Sequence, residues 1–199
     1  MESINKYHRE FNQKAFINPK FLRMKFLRNE NLNQVVDLLK FQRLEHFVKL
    51  SVNIYPDLVK VFLINMWIDD GVIYSQVKGV DMAITDEVLL SVASLRDAGT
   101  IVSRANVADL GGFGKVQFFK ACLRNPNSFI RSYSVGGLSI IPRLVAYIVI
   151  WILTPRGFNH AVLTEDDLIL MYCLINKIKL NWVSVIKEHL FRIRKKPEF

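Results

Sequence analysis

Three runs decide how the C-terminal third folds: Leu153-Thr-Pro-Arg-Gly-Phe-Asn-His160, Thr164-Glu-Asp-Asp-Leu168 and Asn176-Lys-Ile-Lys-Leu-Asn-Trp182. Pro155 cannot continue a helix, Gly157 permits a positive φ and Asn159 favours a turn, so the first run ends one helix and forms a tight connector. Its polar side chains are expected to lock that connector. Thr164 caps the next helix, and Glu165, Asp166 and Asp167 set negative charge on its positive end. Lys177 and Lys179 then sit at its negative end. Asn181-Trp182 opens a last helix with Val185, Ile186, Leu190 and Ile193 facing inward. The pattern predicts helices over about 139–153, 164–179 and 182–195. Leu168, Met171, Cys173, Leu174, Ile175 and Ile178 are apolar on more than one side, which makes the middle helix central.

Upstream of this block the pattern is mixed. Asn31 can cap a helix with Leu32, Val35, Val36 and Leu39 on one face, extended by Leu44, Phe47 and Val48. Tyr55-Pro56-Asp57 opens another, with Leu58, Val59, Phe62 and Met66 buried. Asp69-Asp70-Gly71 signals a turn, Val72–Val77 a strand, Lys78-Gly79 a second turn and Val80–Ile84 a second strand. Thr85-Asp-Glu87 starts a helix with Val88, Leu89, Val92 and Leu95 on one side, stopped at Ala98-Gly99. Between 100 and 137 the chain is least legible, with a short strand at Thr100–Ser103 and a helix at Val116–Leu123 as the expectations. The fold class is mainly α with a small β-hairpin or meander (α+β), a single compact helical domain.

Residues 1–30 differ from the rest. Lys6, Arg9, Lys14, Lys20, Arg23, Lys25 and Arg28 outnumber Glu2, Glu10 and Glu30. Phe11, Phe16, Phe21 and Phe26 recur at a spacing that fits neither helix nor strand. The expectation is an extended basic-aromatic arm over 1–30, followed by a domain over 31–196 with its helical core at 139–195. The Phe residues either dock on the core, the favoured reading, or stack on single-stranded nucleic acid bases while the cations meet phosphates. Together with the tail, the candidate nucleic-acid contacts are Lys20, Arg23, Lys25, Arg28, Arg192, Arg194, Lys195 and Lys196. A groove lined by Arg23, Lys25, Arg192 and Arg194 would favour this role.

Composition bounds the rest. The 199 residues carry a formal net charge of +9, with 51% hydrophobic and 23% charged residues and 14 Phe. This is a globular composition with a surface attractive to polyanions. Cys122 and Cys173 are far apart and lack a CxxC pattern, so buried thiols in a reducing setting are expected, with no disulfide framework or zinc site. The polar N-terminus has no signal-peptide core, which favours the nucleus or cytoplasm. The apolar run Leu144–Leu153 falls well short of the roughly 20 residues a membrane helix requires, so a buried core helix is expected.

The motifs point away from catalysis. Gly111-Gly-Phe-Gly114 has neither phosphate-loop spacing nor GxGxxG, so it reads as a flexible turn. Asp69-Asp70 lies in a turn, and Glu165, Asp166 and Asp167 are explained as helix-terminal charge rather than as a two-metal nuclease set. His8, His46, His160 and His189 are isolated and lack metal-ligand spacing, and structural roles are expected for His160 and His189. No catalytic residue, cofactor, metal or small-molecule substrate is expected.

Tyr55-Pro56 with Val59, Phe62 and Asn65, then Val77-Lys-Gly-Val80, then the three C-terminal runs resemble the plant transposon protein domain. The likeness covers roughly residues 45–190. The resemblance implies a retroelement-derived reading frame of the kind called envelope-like in legumes, and a piece of a longer polyprotein-like product. It transfers no catalytic residue. Two functional expectations follow. One is a non-enzymatic structural or interaction domain, self-associating or binding nucleic acid through its basic ends. The other is an envelope-like protein associated with a membrane.

Overall fold

The computed structural model of the chain describes residues 18–102, 110–157 and 159–195, with side chains to 193. Its elements run α1 (Met24–Asn29), α2 (Asn33–Phe41), α3 (Pro56–Asn65), β1 (Trp67–Asp69), β2 (Val72–Val77), β3 (Val80–Ile84), α4 (Asp86–Ala93), α5 (Lys115–Cys122), α6 (Ile140–Ile148), α7 (Glu165–Ile175) and α8 (Trp182–Lys195). The fold is mainly helical, with one small antiparallel sheet. α6 runs on as a wide π turn over Val149–Leu153. Val145, Ala146, Ile148, Val149, Ile150 and Leu153 of this continuous segment are buried, so the apolar run is a core helix as expected. Among the described residues no helix is long and apolar enough to cross a membrane.

The main core gathers α1, α2, α5, α6, α7 and the start of α8 around Leu168, Met171, Cys173 and Trp182. α7 is its centre: Leu168 to Met171, Cys173 and Leu174 are all buried. A smaller core joins α3 and β2 through Leu63, Ile64, Met66 and Ile73, and packs against Leu190, Phe191 and Ile193 of α8. Leu190 touches both cores. The sheet has the order β1-β2-β3. Its two turns, Asp70-Gly71 and Lys78-Gly79, have positive φ throughout, the mirror-image turn that matches strand twist. The predicted strands at 72–77 and 80–84 are observed with these bounds, and β1 adds a third.

Among the described helices α1, α2, α4 and α7 all close on a left-handed residue other than glycine, Ser94 (φ 51°) in the case of α4. After α1, α2 and α7 the chain enters the left-handed region at Asn31 (φ 57°), Arg43 (φ 57°) and Lys177 (φ 54°). In each case an apolar residue follows and its N–H reaches back across the last turn: Leu32 to Leu27 O, Leu44 to Leu39 O, Ile178 to Cys173 O, at 2.8–2.9 Å. These are Schellman ends, which satisfy carbonyls that the helix leaves open. They correct three expectations. Asn31 turns the chain after α1 rather than capping α2. α2 stops at Phe41, so Leu44 and Val48 reach the core from a separate turn. α7 stops at Ile175, leaving Lys177 and Lys179 beyond it rather than at its charged end.

Other boundaries also moved. α4 is capped by Thr85 as predicted, through Val88 N at 3.3 Å, but ends at Ala93 with left-handed Ser94 instead of at Ala98-Gly99. Val88 and Val92 of its expected inner face are exposed, while Ala93 and Leu95 are buried. In α3 the buried pair is Leu63 and Ile64, because that face meets β2. Thr100 forms a single parallel bridge with Leu180 rather than a strand.

Gly99 explains why the chain can pass here. Its φ is +116°, and a Cβ built on it would lie 2.6 Å from Lys179 O. Thr100 N donates to Lys179 O at 2.8 Å and Asn181 N to Thr100 O at 3.0 Å, so the segment before α8 is clamped against 96–100. Asn181, which the sequence placed at the opening of the last helix, caps α8: its Oδ1 accepts from Ser184 N at 2.9 Å.

Candidate nucleic-acid interface

The basic-aromatic segment is partly helical, where an extended arm was expected. Met24 and Leu27, three apart, fall on one side of α1 and are buried in the main core. Leu22 N donates to Val48 O at 2.6 Å and fixes the approach to the helix. With the anchor on one side, the remaining positions turn outward. Lys20, Arg23, Lys25 and Arg28 are exposed. So are Phe21 and Phe26, at 44% and 57% of their surface. This reverses the favoured expectation for the two rings: Leu22, Met24 and Leu27 dock on the core, not the phenylalanines. Phe11 and Phe16 lie outside the described residues. The Arg23 guanidinium sits 5.9 Å from the Phe21 ring centroid, within reach of a cation–π contact. α1 itself contains no acid.

The C-terminal cations are placed differently. Arg192 Nη1 is paired with Asp166 at the start of α7, and its Nε lies 3.6 Å from Glu188 Oε1. Two carboxylates thus neutralise Arg192, the described member of the tail set. The side chains of Arg194 and Lys195 lie outside the described residues, as does Lys196 altogether. Lys20, Arg23, Lys25 and Arg28 share one surface segment, whereas Arg192 is tied to α7.

The Leu153–His160 and Thr164–Leu168 runs form a closed polar knot. Thr164 and Asp167 make a reciprocal capping box: Asp167 N donates to Thr164 Oγ1 at 3.2 Å and Thr164 N to Asp167 Oδ2 at 2.7 Å. The same oxygen receives Arg156 Nη1 at 2.5 Å. Arg156 Nη2 donates to Val162 O at 2.8 Å and Asn159 O at 3.3 Å. His160 Nε2 lies 2.6 Å from Arg156 O, and its ring stacks on Trp151 with centroids 3.7 Å apart. These bonds lock the connector, as the sequence suggested, and leave Arg156 Nε buried without a hydrogen-bond partner. Glu165 meets Lys115 at 3.5 Å and Asp86 meets Lys187 at 2.7 Å, so these acids also have cationic partners.

His189 borders this knot. Burial pushes its pKa down to about 4, helped by the Arg192 charge and opposed by a hydrogen bond to the Pro155 backbone and by Asp167. Burial also pushes the Cys122 and Cys173 thiols up to about 11 and 12, so neither is a ready thiolate at neutral pH. Among the described residues no group of three or more His, Cys, Asp or Glu is arranged to hold a metal ion.

Sequence reasoning passed over Gln42, an amide buried at the junction of α2, α7 and α8. Its Nε2 donates to Ile178 O at 2.6 Å, and its Oε1 accepts from Leu180 N and Trp182 Nε1, both at 3.2 Å. Its neighbourhood in the sequence carries no signal, because the apolar helical pattern runs on past it to Val48. No family model, no curated protein and no solved structure matches this chain.

Proposed function

We propose that this chain is a non-enzymatic interaction domain that binds single-stranded nucleic acid through the surface around α1. The observation that carries the reading is the outward exposure of Phe21 and Phe26 among Lys20, Arg23, Lys25 and Arg28, on a segment whose Met24 and Leu27 are anchored in the core. Exposed rings offer stacking faces to bases of any sequence, and the cations track phosphates. An anchored helix presents both without ordering a free arm first, so less conformational entropy is lost on binding. The net charge of +9 raises the encounter rate with any polyanion.

The test is a gel shift with a single-stranded oligonucleotide, using the intact chain and the Lys25→Glu/Arg28→Glu variant. Reversal of two phosphate contacts is expected to weaken binding by at least tenfold, with circular dichroism unchanged because both side chains are exposed. Flotation with phosphatidylserine vesicles but no oligonucleotide shift would replace this reading with the membrane-associated one.

A further inference from the structure

β3 is an edge strand, and all of Val80, Asp81, Met82 and Ala83 are exposed. Edge strands normally carry protection such as lysine, proline, a bulge or a covering element. β3 has neither lysine nor proline. Its acid, Asp81, accepts from Gln76 Nε2 of its own chain at 2.8 Å. Val80 and Met82 expose 64% and 43% of their surface.

The hairpin geometry says which backbone groups are available. Lys78 (φ 52°) and Gly79 (φ 80°) form a two-residue mirror-image turn, and Val77 pairs with Val80. In such a hairpin the closing pair exchanges both hydrogen bonds, and bonded positions then alternate. Val80, Met82 and Ile84 therefore direct N–H and C=O at β2, while Asp81 and Ala83 direct theirs outward. We infer that a second copy of this chain docks antiparallel on the outer edge of β3, with a two-fold axis at Met82. In this register Asp81 of each copy faces Ala83 of the other, so all four outward N–H groups and carbonyls find partners. Val80 faces Ile84 of the second copy and Met82 faces its twin, which joins the exposed apolar side chains.

Charge selects the same register. Lys78 of one copy comes to the end of β3 of the other, where Asp86 already meets Lys187 of its own chain at 2.7 Å and Glu87 is the acid that faces it, and the contact occurs twice by symmetry. Asp86 and Glu87 are the first residues of α4, where the chain leaves the strand. A slip of two residues in one direction would set Asp81 against Asp81, a destabilising like-charge pair. A slip in the other direction keeps fewer paired backbone groups. The result is one six-stranded sheet with no free β3 edge. This inference is independent of the nucleic-acid reading.

The experiment is disulfide trapping together with sedimentation across micromolar to submillimolar concentrations of the full chain. At a non-hydrogen-bonded antiparallel position the Cα atoms lie about 4.5 Å apart, at the short end of disulfide range. Met82→Cys is expected to give a covalent dimer under mild oxidation, and Val80→Cys none, because its twin lies four positions along. Native Cys122 and Cys173 are buried and do not compete. Ala83→Pro removes an outward N–H that plays no part in the β2 ladder, and should raise the dimer dissociation constant at least tenfold. Lys78→Glu should weaken the dimer and Lys78→Glu/Glu87→Lys restore it. A chain that stays monomeric throughout the range, or equal trapping of the two cysteine variants, overturns the inference. Should Ala83→Pro fail to fold, the trapping pair still decides.

Discussion

Replacement of Gln42 by leucine should destabilise the protein more than any surface change, although it inserts an apolar side chain of similar size into an apolar junction. The wild-type amide satisfies three groups from a segment more than 130 positions away: Ile178 O, Leu180 N and Trp182 Nε1. Leucine leaves all three without a partner. At about 1–3 kcal/mol for each buried group left unmade, the total is roughly 3–9 kcal/mol. The bond to Ile178 is only partly buried. Local opening there admits water, which brings the expectation to about 4 kcal/mol. Against a typical total stability of about 5–15 kcal/mol this is a large fraction. Urea unfolding followed by tryptophan fluorescence should show a midpoint about 2 M lower at an unchanged slope, for a slope of about 2 kcal/mol/M. Folded Gln42→Leu should also show altered emission, since Trp182 is fully buried and loses its indole hydrogen bond. A loss below about 1 kcal/mol would refute the reasoning, because it would mean that the three groups re-pair at little cost.

Gly99→Ala should cost about 3 kcal/mol, since a Cβ meets Lys179 O at 2.6 Å and φ is +116°, and differential scanning calorimetry reads the lowered melting temperature. Asp167→Ala should cost about 3 kcal/mol by removing the carboxylate from partly buried Arg156 and opening the capping box, while Asp167→Asn keeps the cap and costs less, as chemical denaturation would show. His189 has a folded pKa of about 4 against 6.5 for the free side chain, so the unfolded chain binds the proton more tightly between these values. Its contribution is therefore complete above pH 6.5 and is lost as pH falls towards 4, on the order of 3 kcal/mol in total; His189→Gln should flatten the stability profile over that window.

What could be read from the sequence was whatever local chemistry enforces. Thr85 and Thr164 cap helices because a hydroxyl before an acidic first turn has few better uses. Lys78-Gly79 sets a hairpin because both positions accept positive φ. Pro155, Gly157 and Asn159 marked the connector, and the knot around Arg156 and Asp167 follows from it. Helix ends were less legible, since Asn31, Arg43 and Lys177 take the left-handed turn that glycine usually signals. The stop is driven by the apolar residue after each, which must return to the core, and such a residue looks locally like a continuation. Long-range partners left no local trace: nothing near Gln42 announces Ile178, Leu180 or Trp182. The candidate interface was legible in its residue types and misread in its orientation. Hydrophobicity alone sends Phe21 and Phe26 to the core, but Met24 and Leu27 hold the spacing that a single helical turn buries, and the rings are left outside.

The most direct test of the functional reading is the fluorescence anisotropy of a labelled single-stranded oligonucleotide, titrated with the wild type and with Phe21→Ala/Phe26→Ala at two salt concentrations. Four phosphate contacts at a slope of about −0.7 each predict roughly 50-fold weaker binding between about 50 and 200 mM salt. Loss of two stacking rings predicts a further weakening of about tenfold or more at both concentrations, with the salt slope unchanged. Binding that ignores salt, or a double variant that binds as tightly as the wild type, would contradict the assignment of this surface to nucleic acid.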